Sequence, residues 1–237
     1  MTDSPLESCI DPDVSTRLRS LLTDLDLEKL KLLERMAEAL LVPIQVDRQP
    51  SDLVDDTFAG VLSNFLLVHH AIHEEPLNKA AFEYVVKGCA LAGGHHAELN
   101  AHRGSGTWDI RVGSVKWSLK TEAAKGMSPN TFKIEKLMEA RWIRGCTNPA
   151  KCAAAVRSEI PEHLNGYDRI LALRAFMKPD ATIRYDLIEP PIALLRDRLA
   201  NMPVDSFTKE GSKESYGANV VTDAGDRIFR NSSRQQR

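Results

Sequence analysis

At 237 residues, with 43% hydrophobic and 27% charged side chains, the chain can bury a core as one elaborated domain or as a domain plus an arm. A formal net charge of -2 argues against a protein that coats nucleic acid indiscriminately. No apolar run approaches the roughly 20 residues that cross a bilayer, and Asp3, Glu7, Asp11 and Asp13 give the N-terminus the wrong sign for a secretory signal, so a cytoplasmic protein with no membrane association is expected.

Residues up to about Pro12 show no periodicity. Leu18, Leu21, Leu22 and Leu25 then recur at helical spacing, and Leu27, Leu30, Leu33, Met36, Ala37 and Leu40 lay an apolar stripe along a second helix. A third helix is predicted from Ser51 to His69 on Leu53, Val54, Phe58, Val61, Leu62, Phe65 and Leu66, with Ser51 or Asp52 as N-cap. A fourth runs from Leu77 to Ala92 and is closed by Gly93 and Gly94. His69, His70 and His73 form an HHxxH cluster, but no catalytic Glu or third ligand follows at metalloprotease spacing, so helix-end or surface histidines are expected. His95 and His96 are expected in a loop. Cys9, Cys89, Cys146 and Cys152 lack CxxC spacing and read as reduced, mostly buried thiols, not as a zinc ribbon or disulfide framework.

The period then changes. Apolar and polar residues alternate from Thr107 to Thr121, and the segments Arg169 to Phe176 and Thr182 to Ile188 are β-rich, with a helix near Pro149 to Leu164 before them. Pro190 and Pro191 precede a final helix from Ile192 to Met202, where proline suits the first turn. From Phe207 the chain is rich in Gly, Ser, Lys and Arg and is expected to be loosely held, with one strand near Asn219 to Thr222. Helices first, then strands interleaved with helices, predict an α/β protein of the mixed α+β kind: a helical N-terminal segment (1–50), a core (51–206) with a central mixed β-sheet flanked by helices, and a basic tail (207–237).

The segment Trp108 to Glu122 reads as two strands joined at Gly113-Ser114, a pair suited to a primed two-residue turn. That turn puts Val112 opposite Val115, Ile110 opposite Trp117 and Trp108 opposite Leu119, all on one face. The other face then carries Asp109 opposite Ser118 and Arg111 opposite Lys116, with Lys120 and Glu122 further along. In this register Asp109 lies about 5 Å from Ser118 and roughly 7–8 Å from Lys120 between backbone positions, a working distance for side chains that share one metal and one water. Phosphodiester hydrolysis needs carboxylates to hold Mg²⁺ against a phosphate oxygen and a cation to orient the attacking water, so Asp109 suits the first task and Lys120 the second. Spacing alone is a weak pattern and favours an ordinary cross-strand ion pair on a wet sheet face.

Charge supports a polyanion partner for this region. Residues 101–145 carry nine Lys/Arg against four Asp/Glu, whereas residues 1–60 carry six against thirteen. Arg103, Lys125, Lys133, Lys136, Arg141 and Arg144 surround the hairpin and are the candidates for contact with DNA, by phosphate pairing or by forking onto guanine in the major groove.

Asp109 followed by Ser118-Leu119-Lys120 and then Thr121-Glu122-Ala123-Ala124-Lys125 resembles the active-site hairpin of type II restriction endonucleases of the SmaI type, within the PD-(D/E)xK nuclease superfamily. Further blocks fit in order: Phe82-Glu83, Lys136 with Met138-Glu139, Tyr167-Asp168-Arg169-Ile170 with Leu173-Arg174, and Leu187-Ile188-Glu189 to Leu195, covering about Asp52 to Phe229. The resemblance implies a restriction-endonuclease-like core and a Mg²⁺-dependent homodimer that cuts both strands of a short, GC-rich palindrome in double-stranded DNA. It also implies a companion methyltransferase that protects host DNA. Two positions depart from the superfamily pattern. Trp108 stands where proline is usual, and Ser118 replaces the second acid, leaving Mg²⁺ poorly held by Asp109 alone. Glu122, on the same face as Lys120, is the first candidate to make up the ligand set, with Glu83 in a supporting or water-mediated role. Glu122 reads equally as a strand-end charge, and Glu83 as a helical partner of Lys79 or Lys87. Two alternatives follow from Ser118: a catalytically inactive DNA-binding relative, and a repair or recombination nuclease on the same core.

Overall fold

The structure, a computed structural model, describes residues 12–101, 108–124, 126–129, 147–178, 182–200, 208–209, 216–221 and 227–232. Two compact units divide the chain: residues 1–48 with 63–75, and residues 49–62 with 76–237.

The first unit holds helices α1 (Pro12–Thr23) and α2 (Leu27–Leu40) and the second part of α3 (Asp56–Ile72). Asp26 caps α2, accepting from the Lys29 backbone N–H at 3.0 Å and pairing with its ammonium at 2.6 Å. The helical periodicity is as the leucine spacing predicts, yet no residue of α2 is buried, and Leu18, Leu21, Leu27, Leu33 and Leu40 are all exposed. At the end of α3, the histidine rings turn back onto the chain that leaves the helix. His69 Nε2 donates to the Glu75 carbonyl at 2.8 Å, and His70 Nδ1 donates to the His73 carbonyl at 3.0 Å.

In the second unit, α3 begins later than the leucine spacing suggests. Asp55 is the N-cap, accepting from Phe58 N–H at 2.7 Å, while Ser51 Oγ accepts from the N–H groups of Leu53 and Val54 in a local turn. Leu53 is buried from that turn, so its apolar character marks burial rather than helix. Helix α4 (Lys79–Ala92) is capped by Asn78, whose side chain accepts from Ala81 N–H at 2.9 Å. It buries Phe82, Val85, Val86, Cys89 and Ala90, a single stripe at helical spacing, and packs on the first three strands of the sheet.

That sheet has the order β1 (Ala97–Leu99), β2 (Ile110–Val112), β3 (Val115–Glu122), β4 (Arg169–Met177) and β5 (Ile183–Ile188). All neighbouring pairs are antiparallel except β3 with β4, which is parallel, so the sheet is mixed as expected. A parallel pair needs a long crossover, and the chain between β3 and β4 includes helix α5 (Pro149–Leu164), which packs against α6 (Ile192–Ala200). Residues Ile170 to Ala175 of β4 are all buried, including polar Arg174, as befits a strand covered on both faces. Strand β1 directly follows His95-His96 and is too short to give an alternation signal. Strands β6 (Thr208–Lys209), β7 (Tyr216–Val221) and β8 (Arg227–Ser232) form a separate antiparallel sheet where the sequence pattern anticipates one strand. Among the described residues, no helix is long and apolar enough to cross a membrane.

Candidate active site

The site is assembled by the β2–β3 hairpin. Gly113 takes φ +59°, the positive value that a primed turn requires at its first position, and the resulting register pairs Val112 with Val115, Arg111 with Lys116 and Ile110 with Trp117. Ile110, Val112, Trp117 and Leu119 are buried, which pins the register, since a one-residue slip would turn all of them over. Asp109 sits at the hairpin's open end with its peptide held on both sides. Its N–H donates to the Trp117 carbonyl at 2.8 Å, and its carbonyl accepts from Asn100 N–H at 3.0 Å.

The Asp109 carboxylate is equally constrained. Oδ2 accepts from the Leu119 backbone N–H at 2.6 Å and from Ser118 Oγ at 3.2 Å. Ser118 is 1% exposed, so the position expected to lack a second acid carries a buried donor that orients Asp109. Oδ1 meets the Lys79 ammonium at 2.7 Å, and the same ammonium lies 3.7 Å from Glu83 Oε1. Lys79 and Glu83 are one turn apart at the start of α4, and the packing of α4 on β1, β2 and β3 carries them to Asp109.

Lys120 lies along the strand and is half-buried. Burial pushes its ammonium down to about 8, Lys79 pushes in the same direction, and the negative charge of Asp109 opposes both. Glu122 has a different partner. It stands directly across the parallel pairing from Arg174, whose Nε donates to Glu122 Oε2 at 2.8 Å. The Arg174 guanidinium also donates to the backbone carbonyls of Ser128 at 2.9 Å and Pro129 at 3.2 Å, and lies over the Phe176 ring at 4.8 Å. The parallel seam is locked lower down by Asp168, which accepts from Lys116 N–H at 2.7 Å while its own N–H donates to the Lys116 carbonyl at 2.8 Å. Arg169 then stacks over Trp117 at 4.2 Å and forks onto Asp52 and Glu189.

The structure therefore brings Asp109, Glu83 and Lys120 into one electrostatic cluster and engages Glu122 with Arg174. The six DNA-contact candidates, Arg103, Lys125, Lys133, Lys136, Arg141 and Arg144, lie outside the described residues, as do Cys9 and Cys146, whereas Cys89 and Cys152 are buried thiols. Sequence reasoning passed over two residues. Lys79 was visible only as a helical neighbour of Glu83, and Arg174 only as part of a matching block. No sequence signal links either to a partner on a distant segment.

Among the described residues, no three His, Cys, Asp or Glu side chains cluster as a ready-made metal cage. Mg²⁺ does not require one: it binds through one or two carboxylates and completes its shell with water and substrate phosphate. One oxygen from each of Asp109 and Glu83 already faces a single positive charge, the Lys79 ammonium, so the pair converges on a point that accommodates a cation.

Residues 18–230 match the family model of the SmaI type II site-specific deoxyribonucleases. Over 170 residues, 70% of this chain, the sequence is 30% identical to the type II restriction enzyme SmaI of Serratia marcescens, and that match spans 65% of the relative. No solved structure matches the chain. The family match over residues 18–230 shows that the chain belongs to the SmaI family of type II site-specific deoxyribonucleases.

Proposed function

We propose that this protein is a Mg²⁺-dependent restriction endonuclease that cleaves both strands of double-stranded DNA at a short, GC-rich palindromic site. In this reading it acts as a homodimer in the cytoplasm, alongside a methyltransferase that protects host DNA. The observation that carries the reading is the convergence of Asp109 and Glu83 on one cation position, next to a half-buried Lys120 that feels the Asp109 charge.

Asp109 and Glu83 are the metal-holding acids. The Arg174 pair that occupies Glu122 supports Glu83 over it as the second acid. Asp109 and Glu83 would hold a Mg²⁺ ion there, which would supply Lewis-acid polarisation of a phosphate oxygen and lower the pKa of a bound water. The Leu119 N–H and the Ser118 hydroxyl hold Asp109 Oδ2, leaving Oδ1 turned toward the cation position. Lys120 keeps its proton at neutral pH but holds it less tightly than an exposed lysine, which suits it to orient the attacking water and to stabilise charge on the phosphorane. Arg103, Lys125, Lys133, Lys136, Arg141 and Arg144 supply the phosphate and base contacts.

Purified protein is incubated with unmodified phage DNA and Mg²⁺, with and without EDTA. Discrete fragments that disappear with EDTA are expected. A smear would point to a non-specific repair or recombination nuclease, and intact DNA shifted on a gel would point to an inactive DNA-binding relative.

A further inference from the structure

The lysine that reaches Asp109 is not explained by the helix that carries it. Within α4, Lys79 and Glu83 are i,i+4 neighbours, yet that local contact is the longer one, 3.7 Å, while the contact to Asp109, 30 residues away, is 2.7 Å. The two acids are mostly enclosed, with side chains 17% and 12% exposed, whereas Lys79 is 44% exposed. Two carboxylates held together in a low-dielectric recess repel each other unless a cation lies between them. A lysine is suited to supply a temporary one: it is a compact point charge on a flexible stem and is strongly hydrated once released.

We propose that Lys79 is a built-in counter-cation of the metal site, its ammonium joining Asp109 to Glu83 when no metal is bound and leaving for solvent as a divalent ion enters. This rests on the reading of Asp109 and Glu83 as metal-holding acids. The apo site is thereby kept assembled, at the cost of weaker metal binding, because each ion that enters must break two charge contacts first. Arg174 at Glu122 shows the opposite design. Its planar fork is 3% exposed and also holds two backbone carbonyls, so it cannot leave without dismantling the loop it grips.

Metal-free wild type, Lys79→Met, Lys79→Arg and Asp109→Asn are titrated with Mn²⁺, following bound ion by electron paramagnetic resonance and, separately, the thermal midpoint. Asp109→Asn is expected to bind Mn²⁺ about tenfold more weakly than wild type, and Lys79→Met about fivefold more tightly. Lys79→Arg, which keeps the charge, stays within about twofold of wild type or binds more weakly. Lys79→Met also gains more in thermal midpoint on saturation with Mn²⁺ than wild type does, since its metal-free form lacks the Lys79 charge that joins the two acids. A merely structural lysine would lower the midpoint equally with and without metal. Unchanged or weaker Mn²⁺ binding in Lys79→Met, with the Asp109→Asn loss intact, overturns the counter-cation and leaves the metal site standing. A wild type that binds Mn²⁺ no better than Asp109→Asn overturns both.

Discussion

Two acids flank Lys120 on the polar side of the hairpin, and they meet different kinds of cation. Asp109 is met by a half-exposed lysine at the first residue of a helix, through one hydrogen bond. Glu122 is met by a buried arginine that is also tied to two carbonyls and an aromatic ring. The first pair is exchangeable, and the second is part of the framework. An acid neutralised by a fixed, buried guanidinium has its charge committed, whereas one held by a half-exposed ammonium can, on the proposed reading, hand its charge to a metal.

The largest effect that tests this contrast is on cleavage. Lys120→Ala is expected to reduce the rate of DNA cleavage about a thousandfold or more, while DNA affinity in a gel-shift assay stays within about tenfold of wild type. Normal cutting by this variant would place the chemistry elsewhere and make the hairpin cluster a structural ion pair.

Next in size is stability at the other acid. Arg174→Ala leaves Glu122 charged and enclosed and frees two carbonyls in the loop after β3, so a loss of about 3–5 kcal/mol in denaturant unfolding is expected. Lys79→Ala, at the exchangeable pair, is expected to cost no more than about 1 kcal/mol. Similar losses for the two would remove the distinction between fixed and exchangeable cations.

Lys120 itself should weaken the metal-free fold. Its pKa falls to about 8 in the folded state from an ordinary 10.5, with burial as the main cause, so its charged form is disfavoured in the native protein relative to the unfolded chain. That cost is present in full below pH 8 and is relieved as pH rises from about 8 toward 10.5, where the unfolded chain binds the proton that the folded one has released. Lys120→Met, which keeps the length and drops the charge, is expected to stabilise the metal-free protein at pH 7 by on the order of 2 kcal/mol while losing cleavage. The stability gain should shrink as pH rises through this window, and a gain that does not change with pH would put the cause in packing instead.

The hairpin was readable in advance because every cue agreed. Gly113-Ser114 set the turn, apolar alternation set the faces, and Ile110 and Trp117 fell opposite each other as that register requires. Helix α4 was readable at its end, where Gly93 closes it as expected, while its start lies two residues later than the expected Leu77 because Asn78 caps it. What sequence could not supply was pairing across distance. Glu122 and Arg174 are 52 residues apart and meet through the parallel join of β3 to β4, for which hydropathy gives no register. Lys79 finds Asp109 only because α4 docks beside the hairpin. The Ser51 region failed for a local reason, since a serine that accepts from the next N–H groups makes a turn look like a helix cap.

The smallest expected effect discriminates most finely between the two acids. With the Gln variants, shape is kept and one negative charge is removed at each site in turn. Glu83→Gln takes away one of two carboxylates that face a single cation position, so Mn²⁺ affinity is expected to fall about tenfold. Glu122→Gln removes a charge already neutralised by Arg174, so its Mn²⁺ affinity is expected to stay within about twofold while its unfolding free energy drops, because the buried guanidinium loses its counter-charge. The two variants should therefore separate on two axes, metal affinity for Glu83 and stability for Glu122. The reverse order in the metal titration would mean that Arg174 yields Glu122 to the ion, and the buried fork would then be the exchangeable partner and Lys79 the fixed one.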